Sequence, residues 1–472
     1  MEKYIKFDYD FLNKYKLGIL RELGRDIGVK SPTDKSKDVL INEIIAIQNR
    51  EIEPTLPTNK GAPPKGGIDL SIFYAKNDEE LDVDYTCIPK ANNPLIFKDS
   101  GEPELLERQG VFEQLEKGYG FIRCKSEDVY FDVYVSQQNI KKFGLRDGDY
   151  VKCLAKENRI DDSPAIHNVV EVNGKTPEEI LKRKNFDKLT PCYPDKKIIL
   201  ERQDCKNTAM RIIDLFAPLG KGQRGLIVAP PKTGKTTLLK EVAKSIEENH
   251  KEIKLIILLI DERPEEVTDI RKSVSADVVY STFDETPEHH VRVAETVISR
   301  AKRLVEDGQD VVILLDSITR LTRAYNNQVE SSGKTLSGGI DPVAFYGPKA
   351  FFGSARNVEE GGSLTILATA LVDTGSRMDE VVFEEFKGTG NMEIHLSRDL
   401  AERRIFPAID VKKSGTRKEE LLLTESEIDA EYKLRKLLSS TDIEKLMDMI
   451  EKSKNNADFI QKLPTWLKIY QD

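Results

Sequence analysis

The stretch GLIVAPPKTGKTTLL, residues 225 to 239, constrains the fold of this chain more than any other. It opens with an apolar run typical of a buried strand and closes on the start of a helical pattern, TTLLKEVAKSI. Between them lies a close match to the phosphate-loop pattern G-x-x-x-x-G-K-[ST], although Ala229 and two prolines stand where that pattern opens with glycine. The stretch therefore predicts a nucleotide-binding loop between a strand and a helix.

Such a loop binds phosphate through consecutive backbone N–H groups at a helix N-terminus. The residues that can supply these groups are Lys232, Thr233, Gly234, Lys235 and Thr236. The two prolines cannot donate, but their fixed φ keeps the start of the loop stiff. We expect the Lys235 amine to contact the β- and γ-phosphates and Thr236 to ligate Mg²⁺. The alternative is a surface turn that contains GKT by chance.

Two further apolar runs end in carboxylates. VVILLD ends at Asp316, which can hold the Mg²⁺ shell, and LIILLIDE ends at Glu262, which is a candidate to polarise the attacking water. Ligands of open α/β sheets bind outside the carboxyl ends of the strands, so we expect both acids and the loop to converge on one crevice. The alternative for either acid alone is a carboxylate that caps the next helix.

Composition excludes some classes of protein. A chain of 472 residues predicts two to four domains. Its apolar runs are far shorter than the roughly 20 residues that a bilayer span needs, so we expect a soluble, cytoplasmic protein without membrane contact. Five scattered cysteines indicate neither a disulfide framework nor a zinc site. A formal charge of −9 does not decide the partner, because local basic loops can still bind phosphate.

The patterning along the chain predicts a multidomain α+β protein. The chain begins with helical periodicity and continues with a stretch rich in Pro, Gly and Asn. Short alternating strands come next, and apolar runs that alternate with helices follow them. The predicted parts are a helical module (1–50), a linker or poorly ordered insertion (51–107), an OB-fold, cold-shock-like β-barrel (108–175), an α/β domain with a parallel sheet (176–430) and a helical tail (431–472).

Aromatic residues alternate in the predicted barrel. Tyr119 and Phe121 share one strand and Tyr134 lies on another, with Arg123 beside them. On a small barrel such rings can stack on single-stranded bases while the arginine contacts the backbone. The alternative, common for aromatics in β-barrels, is that they form the core.

Seven stretches together resemble the bacterial transcription termination factor Rho family. They are GQRGLIVAPPKTGKT, LLIDERPEEVTD, STFDE, ILLDSITRLTRAYN, RNVEEGGSLTILATALVDTGS, EEFKGTGNMEIHLSR and FPAIDVKKSGTRKEELL. The resemblance covers about residues 108 to 430 closely and the first 50 loosely, and the Ala-Pro-Pro opening is a feature of that family's loop. It implies a RecA-like ATPase assembled as a homohexameric ring. Such a ring binds nascent single-stranded RNA, translocates on it 5′ to 3′ with ATP and Mg²⁺, and dissociates the RNA polymerase elongation complex.

The resemblance also implies roles in the nucleotide site. Glu262 would be the catalytic carboxylate and Asp316 the second acid. Phe406 would stack on adenine and Arg263 would sense the nucleotide. Arg417, in SGTRKEE, would be an arginine finger that reaches a neighbouring subunit. Residues that would bind phosphate or metal are Lys232, Thr233, Gly234, Lys235, Thr236 and Thr237.

Further positions are implied for RNA. Asp132 would join the aromatic residues of the barrel. Lys334, in a glycine-rich loop at 330–342, and Arg377, in VDTGSRMDE, would line a central channel; the alternative for both loops is a solvated turn. Arg377 stands where the family more often has lysine, and a guanidinium still binds phosphate. Ser163 stands where a second base pocket has tyrosine, so pyrimidine preference is in question.

Two other functions remain open from the sequence. One is another RecA-like ring, such as a rotary ATPase subunit or a replicative DNA helicase, against which the aromatic barrel argues. The other is an RNA-binding regulator with a vestigial nucleotide site, against which the set Lys235, Glu262, Asp316 and Arg417 argues.

Overall fold

The computed structural model describes residues 7–49, 51–52, 105–115, 117–124, 132–156, 164–203, 207–438 and 443–471. The chain divides into two compact units, Met1–Glu102 and Pro103–Asp472. Most of the predicted linker and Ser163 lie outside the described residues. Among the helices of the described ranges, none has both the length and the apolar character needed to cross a membrane.

The first unit contains three short helices. They are α1 (Tyr9–Asn13), α2 (Leu17–Ile27) and α3 (Lys37–Gln48). The apolar residues that repeat at helical spacing in α2 and α3 form a shared core, which includes Leu20, Leu23 and Leu40. Helix α2 ends where Gly28 adopts φ 101°, a left-handed conformation that glycine adopts at little cost. The predicted helical module is therefore present.

The second unit begins with a closed barrel in the strand order β1-β2-β3-β5-β4. Its elements are β1 (Leu105–Gln114), β2 (Gly120–Arg123), β3 (Val133–Val135), α4 (Gln137–Phe143), β4 (Tyr150–Lys156) and β5 (Ala165–Val172). Burial alternates along the strands, so that Phe112, Ile122 and Val133 fill the interior. This is the small barrel that the sequence predicts.

A larger sheet follows the barrel. Its strands are β6 (Pro191–Cys192), β7 (Arg224–Ala229), β8 (Lys254–Glu262), β9 (Asp277–Thr282), β10 (Asp310–Asp316), β11 (Arg356–Val358), β12 (Ser363–Leu371), β13 (Met392–His395) and β14 (Gly415–Thr416). The main order is β14-β13-β7-β12-β10-β8-β9, and every neighbouring pair from β13 to β9 is parallel. Strand β7, which leads into the phosphate loop, thus lies inside the sheet.

Helices cover both faces of this sheet. They are α6 (Thr208–Phe216), α7 (Lys235–Asn249), α8 (Pro264–Ser273), α9 (Pro287–Glu306), α10 (Ile318–Gln328), α11 (Tyr346–Gly353), α12 (Arg377–Lys387), α13 (Arg398–Glu402), α14 (Glu425–Leu438), α15 (Ile443–Glu451) and α16 (Asn456–Gln471). The short helix α5 (Pro177–Ile180) instead packs on the barrel, where Ile180 joins the barrel core. Two apolar cores result, one beneath α6, α7 and the C-terminal helices and one beneath α9 to α12. The near-continuous apolar strands reflect burial on both sides. The predicted fold class is confirmed.

The barrel contacts α9 through a cluster of ion pairs. Arg183 donates to Asp149, and Arg146 Nη1 lies 2.9 Å from Glu306 Oε2. Of these four side chains, only that of Arg146 is not almost fully buried. The close approach of Gly148 to the α9 backbone adds to this contact, since a β-carbon there would lie 2.4 Å from Arg300 N. Barrel and sheet therefore form one packed unit.

Candidate nucleotide-binding and RNA-binding sites

The phosphate loop lies between the end of β7 and the start of α7. Lys232 has φ 66° and Gly234 has φ 87°, and left-handed residues of this kind turn neighbouring N–H groups into an anion-binding concavity. The Thr233 hydroxyl is buried and donates to Pro230 O at 2.7 Å, which holds the loop in this shape. Lys232 and Thr237 are exposed. The loop thus presents the N-terminus of a 15-residue helix to an anion.

The Lys235 side chain, at the start of α7, meets two carboxylates at the carboxyl ends of their strands. Lys235 Nζ lies 2.5 Å from Asp316 Oδ1 and 3.8 Å from Glu262 Oε2. Asp316 ends β10 and Glu262 ends β8. The structure therefore brings together the three residues that the sequence predicts at one crevice.

The surroundings of Asp316 fit a metal ion. The carboxyl group is 1% exposed, and Thr369 Oγ1 donates to its Oδ1 at 2.7 Å. Its Oδ2 is buried and has no hydrogen-bond partner in the described part of the chain. Thr236, the other predicted ligand, is half-buried, and its hydroxyl lies 3.3 Å from Glu266 Oε2. An unpartnered carboxylate oxygen suits Mg²⁺, which takes oxygen ligands and keeps part of its water shell.

Glu262 is held by donors on two sides. It is 2% exposed, accepts from the Arg263 backbone N–H at 3.1 Å, and lies 3.4 Å from Arg320 Nη1. Burial and then the charge of Asp316 raise the pKa of the Glu262 carboxyl, while Arg320 and Lys235 act against that rise. A raised pKa brings a carboxylate closer to the range in which it can act as a general base.

The strand that carries Glu262 is bulged just before it. Asp261 has φ 55°, and the register between β8 and β9 shifts between Ile260 and Glu262. A bulge of this kind re-aims the following side chain. Here Glu262 is buried next to Lys235, whereas Asp261 remains half-exposed.

Two of the predicted nucleotide contacts lie at the rim of the crevice. Phe406 is 52% exposed, and a β-carbon built on Gly234 would lie 4.0 Å from its Cε1 atom. An exposed ring this close to the phosphate loop can stack on a base. Arg263 is exposed at the residue that precedes α8. The roles of Phe406 and Arg263 toward the nucleotide stay predictions.

Arg417 lies apart from this crevice. Its backbone N–H donates to Asn391 O at 2.8 Å. Burial and then the charges of Arg356 and Arg417 lower the pKa of Arg224, which places Arg417 near the residue that begins β7. The phosphate loop follows the other end of β7, which lies five residues beyond Arg224 at a rise of about 3.3 Å per residue. In the described ranges no hydrogen bond or ion pair joins the Arg417 side chain to the loop, and this side chain is exposed.

The predicted aromatic residues form one cluster on the outside of the barrel. Their ring centroids lie 5.9 Å apart for Tyr119 and Phe121, 5.7 Å for Tyr119 and Tyr134, and 5.9 Å for Phe121 and Tyr134. All three are half-buried, while their strand neighbours Gly120 and Val133 are buried. The cluster therefore lies outside the barrel core and offers ring surface to solvent.

Arg123 extends this aromatic cluster. Its guanidinium carbon lies 5.1 Å from the centroid of the Phe121 ring, its Nε lies 2.5 Å from Glu113 Oε2, and it also pairs with Asp132. Glu113 in turn lies 3.8 Å from Arg292 Nε on α9. Two carboxylates thus orient the arginine and balance its charge.

The two loops predicted to contact RNA are packed together. Gly338, with φ 82°, lies so close to the start of α12 that a β-carbon there would be 2.6 Å from Met378 N. Asp341 accepts from the backbone N–H of Ser332 at 2.6 Å, which closes the loop around exposed Lys334. Arg377, also exposed, is the first residue of α12. The two basic residues therefore belong to neighbouring segments.

Several contacts were not foreseen from the sequence. Thr369, which bonds Asp316, is a polar residue within the apolar run SLTILATAL, and that break in the pattern was a usable signal. Arg320, which faces Glu262, follows Asp316 by four residues on α10, and only the strand order places it there. Glu113 carried no signal, because its partner lies on another strand.

Two family models match the chain. The model described as the RNA-binding domain of the Rho termination factor matches residues 108–178. The model described as the nucleotide-binding domain of the ATP synthase alpha/beta family matches residues 209–416. The two matches cover the barrel and most of the larger sheet.

Curated relatives share about half of their residues with the chain. A protein of Bacillus subtilis (strain 168) is 55% identical over 374 residues, which span 78% of this chain and 87% of the relative. One from Cereibacter sphaeroides is 54% identical over 75% of this chain and 87% of the relative. One from Aquifex aeolicus is also 54% identical, over 75% of this chain and 84% of the relative. All three carry the name transcription termination factor Rho.

Proposed function

The chain belongs to the transcription termination factor Rho family, and we infer from this that it is an RNA-binding ATPase that terminates transcription. We further propose that hydrolysis drives its movement along single-stranded RNA from 5′ to 3′. The observation that carries the proposal is the meeting of Lys235, Asp316 and Glu262 at one edge of the sheet. We propose that the protein works in the cytoplasm, where the nascent transcript is made.

Each residue of the crevice has a proposed task. The backbone N–H groups of the loop and the Lys235 amine bind the phosphates, Phe406 stacks on the adenine, and Arg263 senses the nucleotide. Glu262 orients water and accepts its proton. Thr236 and Asp316 hold Mg²⁺, which supplies charge neutralisation on the phosphates when bound. The orphan Oδ2 of Asp316 supports this assignment.

RNA is proposed to bind at two places. The cluster of Tyr119, Phe121 and Tyr134 stacks on bases, with Arg123 and Asp132 at its edge. Lys334 and Arg377 contact the RNA backbone in a central channel. We propose that the transcript held there is the one extending from the RNA polymerase elongation complex, in keeping with the name that the relatives carry.

A ring of identical subunits is part of the proposal. Arg417 lies near the start of β7, whereas the phosphate loop lies at its end, so an Arg417 that serves catalysis must serve a neighbouring chain. A contact in which one surface meets a different surface of the next copy forms a ring when the rotation between copies closes. We propose a homohexamer.

The direct test is ATP hydrolysis with and without a single-stranded RNA such as poly(C). We expect turnover that requires RNA and that Lys235→Ala abolishes, because the substitution removes a charge from the phosphates. Displacement of a DNA strand from an RNA–DNA hybrid, with the single-stranded RNA on its 5′ side, tests movement. RNA binding without hydrolysis would instead identify a regulator with a vestigial nucleotide site.

A further inference from the structure

Two threonines interrupt the apolar run LTILATAL of strand β12. Thr365 and Thr369 are both 0% exposed and lie four residues apart, so their side chains share one face of the strand. Leu367, between them on that face, packs in the core beneath α6 and α7, whereas Ile366 and Ala368 pack in the core on the other side of the sheet. Both threonines therefore face the side of the sheet on which the phosphate-loop helix lies.

The two buried hydroxyls have different partners. A hydroxyl removed from water is costly unless it forms a hydrogen bond. Thr365 Oγ1 accepts from the Gly222 backbone N–H at 2.8 Å, near the start of β7. Thr369 Oγ1 instead donates to Asp316 Oδ1 at 2.7 Å. Of these two residues of the same type and burial, it is thus Thr369 that contacts the nucleotide crevice.

The two oxygens of the Asp316 carboxylate have unequal surroundings. Both Lys235 Nζ, at 2.5 Å, and Thr369 Oγ1, at 2.7 Å, donate to Oδ1. Oδ2 is buried and accepts no hydrogen bond from the residues that the structure describes. A buried carboxylate oxygen without a donor is costly. Such an oxygen suits a divalent cation or a water molecule that the cation holds.

The two donors to Oδ1 respond differently to a bound nucleotide. The Lys235 ammonium is charged, so the phosphates attract it away from Asp316. Thr369 is neutral, and its backbone is fixed between two strands, because Thr369 pairs with Ile227 of β7 and the preceding Ala368 pairs with Leu315 of β10. The torsion that turns an aspartate carboxylate has only broad intrinsic preferences. With Lys235 drawn away, the Thr369 bond therefore decides how the carboxylate is oriented.

We propose that Thr369 is a positioning residue for the metal ion of the nucleotide site. Its hydroxyl keeps Oδ1 of Asp316 engaged while nucleotide is bound, so that Oδ2 stays available to Mg²⁺ or to a water of its shell. The inference rests on the proposed function, because it needs phosphates at Lys235 and a metal at Asp316. Thr369 acts through Asp316 alone, as hydrogen-bond partners of ligating carboxylates commonly do.

The test measures metal affinity without turnover. The full chain, in excess over a non-hydrolysable ATP analogue and without RNA, is titrated with Mn²⁺, and the electron paramagnetic resonance signal of free Mn²⁺ reports binding. A titration of the analogue alone corrects for its own Mn²⁺ binding. Thr369→Val keeps the branched shape but removes the donor, so it should weaken Mn²⁺ binding about 10-fold or more. Thr369→Ser, which retains a hydroxyl, should keep most of the affinity.

Thr365→Val is the matched control. It removes a hydroxyl that is equally buried on the same strand and face, but that bonds the backbone near Gly222 instead of Asp316. We expect it to bind Mn²⁺ as the unmodified protein does. If Thr369→Val does not fold, Thr369→Cys takes its place, because a thiol is only a weak donor.

Two further readouts separate positioning from a general structural defect. Affinity for the analogue in EDTA should stay nearly unchanged in Thr369→Val, because the loop N–H groups and Lys235 are intact. RNA-dependent turnover of this variant should need more Mg²⁺ for half its maximum and should recover in part at high Mg²⁺. A defect in packing alone would not respond to the metal concentration.

Each outcome decides the matter in one direction. Unmodified Mn²⁺ affinity in Thr369→Val, equal losses in Thr369→Val and Thr365→Val, or equal losses in Thr369→Val and Thr369→Ser would each overturn the positioning role and leave the proposed function standing. An unmodified protein that binds the analogue no more tightly with Mn²⁺ than in EDTA would overturn the proposed metal site and, with it, the role of Thr369. Weak Mn²⁺ binding in Thr369→Val, with both other variants near the unmodified protein, is the result that the proposal predicts.

Discussion

At the scale of single residues, two carboxylates at the crevice compete for one lysine. Lys235 lies 2.5 Å from Asp316 Oδ1 and 3.8 Å from Glu262 Oε2, and a bound phosphate would take over much of this charge. Asp316 would then be free to serve the metal and Glu262 to serve water. The two acids differ in their partners, because Thr369 orients Asp316 and Arg320 faces Glu262.

Replacing the proposed base tests this division of roles. Glu262→Gln should slow hydrolysis by about 100-fold or more and leave ATP affinity nearly unchanged, because it removes only the proton acceptor. Steady-state turnover and equilibrium nucleotide binding measure the two effects. Glu265→Gln, at an exposed acid in the first turn of α8, is the control. Normal turnover in Glu262→Gln would remove this residue from the mechanism.

The pKa of Glu262 gives a separate prediction. Burial and the Asp316 charge raise it, so the carboxylate takes up its proton at a higher pH than an ordinary glutamate, whose pKa is about 4.3. Since the ionised form is the base, turnover should be lost as pH falls through the raised value. A pH profile of RNA-dependent turnover should show this acid limb, and the residual activity of Glu262→Gln should lack it.

At the scale of elements, the packing of the two loops predicted to contact RNA depends on a glycine. Gly338→Ala would place a β-carbon 2.6 Å from Met378 N, whereas Gly339→Ala has nothing within 4 Å. Both glycines have φ near +80°, so the backbone strain of the substitution, about 1–2 kcal/mol, is common to both. We expect Gly338→Ala to reduce RNA-stimulated turnover several-fold more than Gly339→Ala. Equal effects would mean that contact between the loops does not matter.

The barrel carries a prediction of its own. Tyr119→Ala and Phe121→Ala should each cost about 1–3 kcal/mol in affinity for a short single-stranded RNA, through lost stacking. Fluorescence anisotropy on the full chain measures this, with ATP binding expected to stay unchanged. Tyr150→Ala, at an exposed ring elsewhere on the barrel, is the control. RNA affinity that responds equally to all three substitutions would argue against a specific platform.

Local patterns predicted the elements better than the contacts between them. The apolar run before Lys235 and the helical pattern after it define β7 and α7, and the alternation around Gly120 defines an outward aromatic face. The bulge at Asp261 and the pairing of Arg123 with Glu113 depend on which strands become neighbours. That order is set by tertiary packing, which one sequence does not display.

At the scale of the whole molecule, the sheet separates Arg417 from the phosphate loop of its own chain. Thr416 pairs with Met392, and Met392 with Gly225, so the edge strand before Arg417 lies level with the start of β7. The phosphate loop follows the opposite end of that strand. Hydrolysis in this account therefore belongs to the assembly, since each chain supplies half of two different sites. Oligomeric state and activity should change together.

Mixing two inactive variants tests this claim most directly. Lys235→Ala and Arg417→Ala should each be nearly inactive with RNA present, because an arginine finger contributes about 10³ to 10⁵ in turnover in other systems. In mixed assemblies, some interfaces join a chain with intact Lys235 to a neighbour with intact Arg417. The account predicts that RNA-dependent ATP hydrolysis returns in part on mixing. No recovery, with subunit exchange confirmed by a fluorescent label, would contradict it.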